Sequence, residues 1–377
     1  MIDHAPADRA TQVQDALARL RDAADAVGRR LTFMEVCGTH TMSAFRTGLH
    51  SLMPPNVTLL SGPGCPVCVT AQSDIDLLIA LAAECDVTLC TYGDMLRVPG
   101  RRGSLERVRG RGADVRVIYS ALDAVRLAEA EPQREVVLGA LGFETTAPTA
   151  AAAVLEARRR GLTNFSVLAS HKRVVPAMLA LLAGGQMKLD GFLCPGHVAV
   201  IIGSEAYRPV VEQYAMPCVI GGFEETLIAP ALAALGEQVR AGVAELVNLY
   251  PQAVTPEGNR VAQAMLDEVY EPADVRWRGL GVIPESGLAV RKAYASFDAV
   301  RRFGLTPVED REPKGCICGQ VLTGQATPPE CELFGTVCTP IQPIGPCMVS
   351  SEGTCQAWFK YKRGRAASAA RTMEVAR

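Results

Sequence analysis

Apolar positions along the chain change period repeatedly. Between residues 10 and 29 they recur at helical spacing, with Val13, Ala16, Leu17 and Leu20 on one face, so the chain opens on an amphipathic helix. Short apolar runs then alternate with longer helical stretches. The runs LTFMEV (31–36), VTLL (57–60), DVTLCTY (86–92), VRVIYS (115–120), EVVLGALGF (135–143), FSVLAS (165–170), residues 191–194 and CVIGG (218–222) read as strands. DIDLLIALAAE (74–84), an Ala-rich stretch through about Arg160 and a segment through about Leu246 read as helices.

Strands alternating with helices, without hairpin signals between them, predict an α/β protein: parallel sheets with helices on both faces. The units suffice for two such domains, one over residues 1–130 with its sheet from about residue 30, and one over 131–245, parted near Glu131–Arg134. The segment 246–312 carries a helix near 258–270 and a strand near 275–283, and is expected to pack back on the first domain. A further boundary in EDREPKG sets off residues 313–377 as a small Cys-rich domain, whose basic, Ala-rich end from 359 to 377 reads as a frayed, solvated tail.

Length supports this division, since 377 residues exceed one ordinary domain. A formal net charge of -2 argues against a general nucleic-acid binder, which would show a basic excess. Every apolar stretch is broken before the ~20 residues needed to span a bilayer, so no membrane segment is expected. The start, MIDHAPADRA, lacks the apolar core of a signal peptide, and a cytoplasmic location is the expectation.

Thirteen cysteines is a high count for such a chain. In a reducing compartment, clustered cysteines more often bind metal or do redox chemistry than form structural disulfides. Six of them, Cys316, Cys318, Cys331, Cys338, Cys347 and Cys355, crowd the last stretch among Gly and Pro, where few apolar residues could build a core. Such a segment needs a staple. Zinc and a [4Fe–4S] cluster each take four thiolates. The two left over suit a redox pair beside a cluster, whereas a structural zinc knot has no use for them.

Other candidates sit at strand ends, where open parallel sheets place ligands. In MEVCGTHT (34–41), Cys37 precedes a helix carrying Met42, Phe45, Leu49 and Leu52. A helix N-terminus should lower its pKa and favour the thiolate. Cys37 and His40 could share one metal, or could be a buried thiol and a structural histidine. In SGPGCPVCVT (61–70), Cys65 and Cys68 read as a redox pair, with half a zinc site as the alternative. Asp94 and Arg97, Glu144 with Thr145 and Thr146, His171 and Lys172, and Cys194 and His197 are each weak signals, and share only their places at strand ends. Thr145 and Thr146 could simply cap a helix. No Walker A or G-x-G-x-x-G sequence occurs, which disfavours nucleotide chemistry of those types.

Together, EVCGTHT, GPGCPVC, YGDMLRVPG, GFETTAPT, CPGHV, GCICG and PIGPCMVSSEGTC resemble the HypD family of [NiFe]-hydrogenase maturation proteins, from about residue 30 to 358, with every cysteine position matching. The resemblance implies two α/β domains of related topology, a smaller [4Fe–4S] domain, and a scaffold on which the Fe(CN)2(CO) unit is built. The partners it implies are a HypC-type small chaperone and a HypE-type cyanide donor. By the same resemblance Cys37 would hold the Fe(II) being fitted with CN and CO, with His40 in the same site. Cys65 and Cys68 would form a dithiol/disulfide pair. Cys316, Cys331, Cys338 and Cys355 would bind the cluster, leaving Cys318 and Cys347 as the pair beside it, similar to ferredoxin–thioredoxin reductase. Electrons would then run from the cluster through Cys318/Cys347 and Cys65/Cys68 to the iron. The rivals are a free-standing thiol–disulfide reductase, which gives Cys37 and His40 no role, and a zinc-stapled interaction protein.

Overall fold

The computed structural model describes residues 6–185, 187–306 and 309–362. The tail from 363 lies outside the described residues. Among the described residues, eleven strands form two parallel sheets and one hairpin. They are β1 (Leu31–Glu35), β2 (Val57–Ser61), β3 (Val87–Thr91), β4 (Val115–Val117), β5 (Glu135–Gly142), β6 (Phe165–His171), β7 (Gly191–Pro195), β8 (Cys218–Gly221), β9 (Leu246–Asn248), β10 (Tyr270–Trp277) and β11 (Gly281–Val290).

One sheet has the order β2-β1-β7-β8-β9 and the other β4-β3-β5-β6, with all pairings parallel. Their strands read as near-continuous apolar runs because both faces are covered. The opening helix Pro6–Val27 packs on Glu225–Ala241 over the first sheet, burying Val13, Ala16, Leu17 and Leu20. Ala147–Arg159 covers the second with a wall of alanines.

The sheets do not divide the chain near residue 131. After β2 the chain leaves to build the whole second sheet, then returns at β7 to complete the first. Local pattern says strand or helix but not which sheet a strand joins. Among the described residues of 246–312, only β9 enters the first sheet. Its helix Arg260–Val269 packs on Ala147–Arg159, and β11 packs on β6, so most of it lies with the second sheet. The strand expected near 275–283 is a hairpin whose turn passes through Gly279 at φ +79. Trp277 is fully buried there and donates Nε1–H to Ser286 Oγ at 2.8 Å.

The Cys-rich segment has short helices, Cys318–Leu322 and Thr354–Tyr361, joined by turns. It wraps over both sheets. Thr354–Tyr361 packs on the helix Gly38–Arg46, with Trp358 5.8 Å from Phe45 and 5.9 Å from His50 between ring centroids. Ser350 Oγ donates to Asp94 Oδ2 at 3.0 Å, and Arg97 donates to the Pro340 carbonyl.

Candidate functional site

In each sheet the strand order reverses once, and there neighbouring strands send their chains to opposite sides and leave a crevice. The reversal lies between β1 and β7 in the first sheet and between β3 and β5 in the second. Cys37 follows β1, His197 follows β7, and Phe143 and Thr145 follow β5. All four line one cavity of about 320 Å³, together with Thr39, Gly64, Pro66 and Glu352. Scattered strand-end signals thus meet where the two sheets and the Cys-rich segment come together.

Cys37 is the N-cap of Gly38–Arg46. Its thiol is not the low-pKa thiolate expected. Burial pushes it up to about 12, and the Glu35 and Glu352 carboxylates push the same way. The backbone N–H groups of His40 and Thr39 favour the thiolate but are outweighed. The helix is also shorter than expected. It breaks at Gly48 (φ 81), and Leu52 is 57% exposed.

Glu35 is wholly buried. Its Oε2 accepts the Cys37 N–H at 2.8 Å, its Oε1 accepts the Thr41 hydroxyl, and burial lifts its pKa to about 8. Glu352 accepts the Thr39 hydroxyl at 2.7 Å, and burial raises it as well. Cys37 therefore lies between two buried carboxyl groups, a setting that disfavours a bare thiolate and rewards a cation whose arrival lets them ionise. His40 is not among the residues lining the cavity. Its Nε2 donates to the Gly222 carbonyl at 2.8 Å, Nδ1 has no hydrogen-bond partner, and burial lowers its pKa to about 4, so the ring is neutral. Phe223 stacks on both His40 and His197, at 4.9 and 3.7 Å.

The other strand-end candidates separate. Asp94 and Arg97 tether the Cys-rich segment as described above. Glu144 is buried, with Oε1 accepting Val174 N–H at 2.9 Å and burial raising it to about 7. Thr146 occupies a helix N-cap, but its hydroxyl donates back to Leu141 and gives no side-chain cap. His171 packs edge-on against Tyr270 inside the second unit, and buried Lys172 pairs with Asp74 at 3.4 Å. Cys194 lies buried against Cys218.

Cys65 and Cys68 form a disulfide at the start of the short helix Pro66–Val69. That helix packs against both the Cys318 helix and the turn Pro346–Met348. All six C-terminal cysteines wall one chamber with Ile317, Val321, Leu333, Phe334, Gly345 and Met348, and no carboxylate or imidazole joins them. Cys316, Cys318, Cys347 and Cys355 interact in series, with the two most buried, Cys318 and Cys347, adjacent at the centre. The thiols ring the chamber rather than converge. Among the described residues no three His, Cys, Asp or Glu side chains group as ligands of one ion. An all-thiol donor set with apolar walls fits an iron–sulfur cluster, whose corners take one thiolate each.

A family model described as "Hydrogenase formation hypA family", under the name HypD, matches residues 11–362. The chain belongs to the HypD family. A hydrogenase expression/formation protein HupD of Azotobacter chroococcum is 47% identical over 98% of both chains. Hydrogenase maturation factors HypD of Azotobacter vinelandii and Cupriavidus necator are 47% and 46% identical, over 96% and 89% of this chain and 96% and 91% of theirs. Among the described residues no helix is long and apolar enough to cross a membrane.

Sequence reasoning misses three residues around these candidate sites: Glu35, Glu352 and Arg278. Glu35 alone is detectable in principle, as a charge ending an apolar buried strand. Glu352 reaches Cys37 only through tertiary folding, and Arg278 lies in a turn that the pattern disguises as strand.

Proposed function

We propose that this HypD-family chain is the scaffold on which the Fe(CN)2(CO) unit of [NiFe]-hydrogenase is assembled, with Fe(II) as cargo at Cys37. The observation that carries this reading is the cavity at the meeting of the two strand-order reversals, where Cys37 faces His197, Thr145 and Glu352 with the Cys65–Cys68 disulfide one turn away.

The residues suggest how the cargo is held. Glu35 and Glu352 attract the cation. Cys37 gives up its proton as iron arrives, and the N–H groups of Thr39 and His40 then support its sulfur. His40 braces this turn from behind the cavity wall, its Nε2–H held by the Gly222 carbonyl. A HypC-type chaperone would close the open side of the cavity and add a second thiolate, and a HypE-type donor would bring cyanide there. Both would meet the chain in the cytoplasm.

Cys316, Cys331, Cys338 and Cys355 would hold a [4Fe–4S] cluster, which when bound supplies single electrons. Cys318 and Cys347 are adjacent, so as a dithiol they can pass two electrons and two protons to the Cys65–Cys68 disulfide that packs against them. A free-standing reductase would use the same thiols but leaves Cys37 and its two carboxylates without a task.

The test is iron, sulfide and zinc analysis of anaerobically purified protein. About four iron and four sulfide per chain are expected. A colourless, zinc-loaded protein that cannot be reconstituted with iron and sulfide would overturn the reading.

A further inference from the structure

The turn of the β10–β11 hairpin buries a charge that no ion pair balances among the described residues. Arg278 is 1% exposed. Its backbone N–H donates to the carbonyl of Val69, next to Cys68, at 2.9 Å, and Nη2 donates to Gln72 Oε1 at 3.1 Å. Nε and Nη1 have no partner, and no ion pair among the described residues includes this side chain. A guanidinium stays charged at any ordinary pH, and burying one without an opposite charge is strongly unfavourable.

The turn is seated against the helix that begins at Cys318, one wall of the cysteine chamber. A Cβ at Gly279 would lie 2.5 Å from Gly319 Cα, so the hairpin tip rests on the helix that begins at Cys318. Arg278 is close enough for its charge to act on both Cys316 and Cys318. Neutral thiols do not balance a guanidinium, whereas thiolates bound to an iron–sulfur cluster carry net negative charge. Charge and hydrogen bonds near such a cluster help set its reduction potential.

We propose that Arg278 is the internal counter-charge of the cysteine chamber, holding Nε–H and Nη1–H for the negative charge of a bound cluster and raising its reduction potential. This rests on the cluster reading above. It gives the hairpin a use beyond packing: it carries a fixed positive charge between the Cys65–Cys68 helix and Cys316/Cys318.

The role predicts opposite signs in the two states of the protein. Arg278→Met should leave the cluster-free full-length chain melting at or above the wild-type temperature, since an unbalanced buried charge is gone. The loaded chain should melt lower than loaded wild type. In an EPR-monitored redox titration its midpoint should fall by a tenfold change in the one-electron equilibrium, or 59 mV. Arg278→Lys, which keeps the charge, should lie closer to wild type. Equal destabilisation of both states by Arg278→Met, or an unmoved midpoint, would overturn the inference while leaving the cluster in place. Should Arg278→Met fail to load, a lowered melting temperature of the cluster-free variant overturns it too. Wild-type protein without iron and sulfide would instead overturn the cluster reading, and this inference with it.

Discussion

Gly64 lies backbone to backbone against Cys37. Its carbonyl accepts the Gly38 N–H at 3.0 Å, and a Cβ added at Gly64 would stand 2.1 Å from the Cys37 nitrogen. The loop that carries the Cys65–Cys68 disulfide is thus locked to the residue proposed to hold iron, and the two act as one rigid unit. Gly64→Ala cannot be absorbed by a flexible side chain, since the atoms it meets are main chain. We expect it to cost more than about 3 kcal/mol in denaturant melts and to abolish hydrogenase maturation. A variant of wild-type stability would show that the two loops are free to part.

Glu352 supplies a carboxylate beside Cys37 from a distant part of the chain. Glu352→Gln retains an acceptor for the Thr39 hydroxyl but removes the charge. The Cys37 thiol pKa should drop, so alkylation near pH 9 should become several-fold faster, while iron retention weakens. Unchanged alkylation and iron content would show that Glu352 is a tether only.

The six chamber cysteines should divide by phenotype. Cys331→Ser or Cys338→Ser should lose most iron and sulfide. Cys318→Ser should stay brown, with its iron and sulfide near wild type, yet fail in maturation. Loss of the cluster from Cys318→Ser would reassign it from the redox pair to the ligands.

Glu144 gives the fold a pH dependence of its own. Burial raises its pKa from 4.5 to about 7, so it stays protonated in the fold while the unfolded chain ionises. Its contribution to stability is full below about pH 4.5 and is lost as pH rises through about 7. Glu144→Gln keeps the acceptor for Val174 N–H and removes that slope. Above pH 7 the variant should be more stable, by up to about 3 kcal/mol, in urea melts compared at about pH 5 and about pH 8.

Much of this was legible in the chain. Apolar runs located the first eight strands to within a few residues, and strand-end motifs pointed to Cys37, Thr145 and His197. What escaped is what local pattern does not encode. β9 is three residues long, and Arg278-Gly279-Leu280 lacks the Asn-Gly or Asp-Gly dipeptide that marks a tight hairpin. The return of β7 to the first sheet is a long-range pairing. The Cys37 thiol departs from the low pKa its position predicts for a similar reason: a helix N-terminus can be read from sequence, whereas burial and a carboxyl group arriving from Glu352 cannot.

Infrared spectroscopy of the CN and CO stretching region tests whether Cys37 anchors the iron that receives its ligands. Protein purified from cells with a complete maturation apparatus should show those bands, and Cys37→Ala from the same cells should lack them while keeping its chamber iron and sulfide. Bands of wild-type intensity in Cys37→Ala would contradict the account.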